Sequence, residues 1–151
     1  MDEGTSLTPA SRWLGYTGLL PQIICVALAA MGHEYAYTAI AGGFGYAAAI
    51  FSFLGGVWWG QAIARGQGGA GAYIVSVMPG LLAVALFLPW TLGWEWPGPA
   101  LIYLGALILA SPLVDRRLGF AKRDFMRLRV QLSVGLGVLT IALGILAEAM
   151  V

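Results

Sequence analysis

Five stretches of this chain are almost wholly apolar, and short polar segments separate them. They cover residues 14–31, 36–64, 72–92, 99–114 and 130–147, and no Asp, Glu, Lys, Arg or His lies in any of them. A bilayer-spanning helix needs about 20 apolar residues, within a range of about 17–25. One charge at mid-bilayer costs about 2.5–3.5 kcal/mol on insertion scales. The pattern predicts an all-α fold: one domain, built as a polytopic bundle of five transmembrane helices. The fourth stretch is a little short. The second is too long, since a straight helix over 36–64 would reach about 43 Å against a hydrocarbon core of about 30 Å. Its early glycines, Gly42, Gly43 and Gly45, predict an irregular or tilted start, with the regular span over 44–64.

Composition agrees with a membrane solvent. The chain is 60% apolar and 10% charged, with a mean hydropathy of +0.83. Soluble domains run near half apolar and a quarter charged. The first stretch is expected to stay as a span rather than act as a signal peptide, because Asp2 and Glu3 ahead of Arg12 give the wrong charge. Five spans also sort the charges. Arg12, Arg65, Arg116, Arg117, Lys122, Arg123, Arg127 and Arg129, all the basic residues of the chain, fall on one side. His33, Glu34, Glu95 and Glu148 fall on the other. The excess of basic residues on cytoplasmic loops predicts an N-terminus inside and a C-terminus outside. Trp13, Trp58, Trp59 and Tyr73 are expected near the inner interface, and Tyr35, Tyr37, Trp90, Trp94 and Trp96 near the outer one.

Packing and polar chemistry offer fewer handles. Ala48, Ser52, Gly56, Gly60 and Ala64 recur at every fourth position, and so share one helix face. The Gly56–Gly60 pair permits close helix approach, and this face, with Ser52, is expected in the bundle centre. Pro21 predicts a kink in the first span, because it removes the hydrogen bond to the Thr17 carbonyl. Beside it, Gln22 is expected either to meet a freed carbonyl or a neighbouring span, or to open a small polar pocket. Gln22, Ser52 and Thr140 are expected near the midplane. Gln22, Ser52, Trp58 and Trp59 form the candidate ligand pocket.

The segment from Asp115 to Arg129 is the densest in charge. Arg116, Arg117, Lys122, Arg123, Arg127 and Arg129 are candidates for contact with anionic lipid or a partner, at about 1 kcal/mol per basic residue near the surface. One cysteine, Cys25, excludes an internal disulfide, and one histidine, His33, excludes a multi-histidine metal centre. His33, Glu34 and Glu95 are read as a solvated loop, so no metal site is expected. The chain carries no GxxxxGK[ST], HExxH or GxSxG motif.

Ser52-Phe53-Leu54-Gly55-Gly56-Val57-Trp58-Trp59-Gly60 resembles the SFLGG-x-x-WG segment of the "domain of unknown function 3429" family, whose animal relatives go by the name transmembrane protein 69. The likeness continues through Leu20-Pro21, Met78-Pro79 with Leu81-Leu82, Asp115-Arg116-Arg117 and Arg127-Leu128-Arg129, over nearly the whole chain. The resemblance implies the same span count and no defined activity.

The leading expectation is a non-enzymatic integral membrane protein, an accessory or assembly subunit or scaffold of a larger complex. It is expected in a bacterial inner membrane or an organellar inner membrane. Its partners are membrane lipids and other membrane subunits, not nucleic acid, and no cofactor or catalytic residue is assigned. Two alternatives stay open. One is a binding protein for an apolar ligand such as a quinone, sterol, lipid or tetrapyrrole. The other is a small channel or carrier, against which the lack of charge within the spans counts.

Overall fold

The computed structural model describes residues 8–32, 34–66, 69–119 and 123–151. Six helices follow one another, and among the described residues there is no strand: α1 (Pro9–Thr17), α2 (Leu20–Ala30), α3 (Ala36–Arg65), α4 (Ala70–Thr91), α5 (Pro97–Leu118) and α6 (Arg123–Glu148). They make five helical units long and apolar enough to cross a membrane, the first being α1 and α2 together.

The first unit breaks where proline chemistry demands it. Pro21 stands in the first turn of α2, and the chain turns at Gly18–Leu19 before it. The Gly18 carbonyl, which has left the helical ladder, accepts a hydrogen bond from the Tyr46 hydroxyl of α3. An apolar surround leaves no other donor for such a group. At the start of α1, Thr8 caps the helix by accepting from the Ser11 amide at 3.3 Å, with Pro9 already in the first turn.

Helix α3 differs from its expected form. It is regular from Ala36, not from residue 44, and Gly42, Gly43 and Gly45 lie inside it. Mid-helix glycine costs about 1 kcal/mol relative to alanine, but here packing uses the missing side chain. A Cβ on Gly43 would overlap Leu143 of α6 and lie 3.2 Å from Cys25 Cβ of α2. The helices α5 and α6 also outrun their expected spans. The first continues through Asp115, Arg116 and Arg117 to Leu118, and the second begins at Arg123. Two basic side chains in the last turn of α5 lie where the helix dipole favours positive charge. Gly119 then closes α5 at φ +67°, a left-handed conformation that glycine adopts without strain.

The core runs along α3. Ile40, Phe44, Phe51, Leu54 and Trp58 face Leu101, Leu104 and Ile108 of α5 and Leu136 and Leu143 of α6. Helix α4 packs on the other flank of α3 and is the least enclosed of α3–α6. Lipid is as apolar as leucine, so association depends on close contact and interhelical hydrogen bonds. Glycine supplies the contact between α5 and α6. A Cβ on Gly105 would lie 2.7 Å from the Gly137 carbonyl oxygen, and one on Gly137 would lie 2.9 Å from the Gly105 carbonyl oxygen. Further along, a Cβ on Gly144 would lie 2.8 Å from the Gly98 carbonyl oxygen.

The expected small-residue seam of α3 is corrected. Gly56 and Gly60 are exposed, with nothing within 4 Å of a Cβ at either, and Ser52 is only half-buried. The buried face lies one residue away: Gly55 is the glycine in contact, against the Ser76 carbonyl and Pro79 of α4. Helix α3 is apolar nearly all round, so composition alone does not distinguish adjacent faces. Gly105→Leu should therefore lower thermal stability in detergent by about 1–3 kcal/mol, the usual range for overpacking. Gly56→Leu should leave the melting transition of the isolated chain unchanged. Equal loss in the two variants would contradict this assignment of faces.

Candidate functional site

Three helices bring one buried ionic cluster together. On α5, Leu104, Ile108, Ser111 and Asp115 recur at intervals of three and four and share its inner face. On α6, Arg129, Ser133, Leu136 and Thr140 form the facing stripe, and on α3 Trp58 points into the same space. Asp115 Oδ2 accepts from Arg129 Nε at 2.9 Å, and Asp115 Oδ1 accepts from Trp58 Nε1 at 2.7 Å. Asp115 and Trp58 are each 3% exposed. The Arg129 side chain is 11% exposed, and its Nη2 is buried and meets no acceptor among the described residues.

The arrangement neutralises the carboxylate and satisfies both its oxygens. One step toward the membrane centre, Ser111 Oγ donates to the Ile108 carbonyl, and Ser133 Oγ lies 3.3 Å from Ser111 Oγ. Deeper still, Gln22 Nε2 of α2 donates to Thr140 Oγ1 at 3.1 Å, and Thr140 donates to the Leu136 carbonyl. Gln22 and Thr140 are both fully buried. At the basic end, Tyr16 donates to Gln131 Oε1 at 2.6 Å, and Arg65 Nη1 donates to the Gly119 carbonyl at 3.2 Å.

The expected ligand pocket of Gln22, Ser52, Trp58 and Trp59 does not assemble. Gln22 meets Thr140, as the neighbouring-span alternative had it. Ser52 faces Gly80 of α4. Trp58 is committed to Asp115, while Trp59 is exposed and packs edge-on against Tyr73 with ring centroids 4.7 Å apart. Successive helical residues point about 100° apart at 3.6 residues per turn, so Trp58 and Trp59 take different surroundings.

The basic group divides too. Arg116, Arg117, Arg123 and Arg127 are exposed, as contact with lipid headgroups or a partner requires. Arg129 is turned inward and serves Asp115 instead. Lys122 and His33 lie outside the described residues. Asp115 as a buried acceptor was missed because the fourth apolar stretch stops one residue before it. The signal was present in its spacing, four residues beyond Ser111 on the buried stripe.

A double-mutant cycle tests the pair. Removing one partner of a buried ion pair costs about 3–5 kcal/mol, so Asp115→Leu and Arg129→Leu should each destabilise the detergent-solubilised chain to that degree. The double variant should lose less than the sum of the two. Additive losses would contradict the pairing.

A family model described as "Protein of unknown function (DUF3429)" matches residues 7–146. No curated protein matches the chain, and no solved structure does.

Proposed function

We propose that this chain, which belongs to the DUF3429 family, is a non-enzymatic accessory subunit or scaffold of a larger membrane complex. It is an integral membrane protein; the finer role rests on one observation. The outward face of α3 carries Gly56, Gly60 and Ala64, all exposed, and the bundle itself makes no use of the two glycines. Small residues at a lipid-facing surface let a second helix approach to backbone contact. Small residues of that kind close the bundle's own α5–α6 seam, where Gly105 meets Gly137. Here the surface stands open along two turns.

The buried polar groups support this reading, since Asp115 meets Arg129 and Trp58, Ser111 meets Ser133, and Gln22 meets Thr140, each pair across helices. They hold shape. In this proposal the basic end, with Arg12, Arg65, Arg116, Arg117, Arg123 and Arg127, faces the cytoplasm or its organellar equivalent. The membrane is a bacterial inner or an organellar inner membrane.

Affinity purification from the native membrane in mild detergent tests the role. The unaltered chain should carry a second membrane protein in fixed ratio, and Gly60→Leu should lose it while melting like the parent. A chain that purifies without another subunit would contradict the reading. Orientation is read separately, in a Cys25→Ser background. A cysteine at Ala149 should react with an impermeant maleimide added outside intact cells, and one at Arg116 should not; the opposite labelling would reverse the assigned topology.

A further inference from the structure

The break after α1 leaves an apolar groove between α1 with its Gly18–Leu19 turn, α3 and α6, with Ile108 of α5 also lining it. Its volume is about 300 Å³, and Gly18, Leu19, Ile50, Leu132 and Leu136 are among its lining residues. Gly15 and Gly18 have no side chains to fill it. Arg129 closes the end of the groove toward the basic side, being the first of its α6 lining residues. Arg129 is the residue whose Nη2 is buried without an acceptor among the described residues.

We propose that this groove holds one acyl chain of a membrane phospholipid, with an ester or phosphate oxygen of that lipid accepting from Arg129 Nη2. Three observations carry the assignment. An apolar slot open within a bilayer is bathed in acyl chains, and its volume lies at the lower end of the range of about 300–1,000 Å³ for ligand pockets, which suits a stretch of one flexible chain rather than its whole length. The Asp115 carboxylate engages Nε, and Nη2 of the same guanidinium is left buried without an acceptor among the described residues. A buried donor without an acceptor is costly, and a charged one more so. Depth also fits. Arg129 lies about 9 Å along α6 from the exposed Arg123, at 1.5 Å per residue, which places it at the headgroup boundary.

Charge around the mouth selects the headgroup. A neighbouring cavity of about 240 Å³ is lined by Arg12 and Arg127 together with Asp124, Tyr16 and Gln131. Two cations against one carboxylate favour an anionic lipid. The proposal is independent of the partner-binding face, because that face lies on Gly56 and Gly60, neither of which lines the groove.

Native mass spectrometry of the full chain tests it, after reconstitution in nanodiscs of palmitoyl-oleoyl phosphatidylglycerol. One phospholipid per chain should survive removal of the bulk lipid. Ile50→Trp and Leu132→Trp fill the groove from different helices, and each should cut the lipid-bound fraction by about tenfold. Arg129→Lys keeps a cation beside Asp115 but removes Nη2; it should weaken retention while the melting temperature stays near that of the parent. Retention of no lipid by the unaltered chain would overturn the proposal. So would retention unaffected by either tryptophan. A quinone held instead of phospholipid, in chain taken from its own membrane, would overturn the assigned occupant.

Discussion

A carboxylate enclosed by three apolar helices must find its partners inside the bundle, and Asp115 sets the terms for everything at the basic end. Its two oxygens take one donor from α3 and one from α6. Satisfying both requires Trp58, Asp115 and Arg129 to sit at one height, so a single acid fixes the relative position of three helices. Buried ion pairs are weak evidence for net stability, because desolvation offsets much of the attraction. Their effect here is on register. A slip of one turn along α6 would strand the acid and the arginine in surroundings that offer neither water nor a second partner.

That register is the one the rest of the α5–α6 seam needs. Ser111 meets Ser133, Gly105 meets Gly137, and Gly98 meets Gly144 in succession away from the ion pair. The polar contacts choose the alignment, and the glycines turn it into close backbone contact. Gln22 and Thr140 then tie α2 to α6 past the kink. The Tyr46 hydroxyl meets the carbonyl that the break exposes. The break in the first unit is thus matched by a donor on another helix, as a hydrocarbon surround requires.

The spans were legible because lipid imposes a simple rule on charge, and the five apolar stretches obey it. Their ends were less so. Asp115 and Arg129 read as loop residues by charge, yet both continue the buried stripes of their helices, and pairing removes the cost that charge alone implies. The facing of α3 was illegible for another reason. With apolar residues nearly all round, Gly55 and Gly56 look alike in the chain, and only the approach of Ser76 and Pro79 distinguishes them. For the candidate site, Gln22 stands out in the chain as a polar residue at membrane depth and Trp58 as one of the inner-interface aromatics, but their partners, Thr140 and Asp115, separate them into two sites.

The most direct measurement is the nitrogen–proton NMR spectrum of the Trp58 indole and the Arg129 Nε–H groups, with the chain in lipid nanodiscs. Both protons are predicted to exchange slowly with water, and Asp115→Asn is predicted to shift both signals together. Fast exchange at either group, or signals indifferent to the change at Asp115, would contradict the ion pair on which this account of the bundle rests.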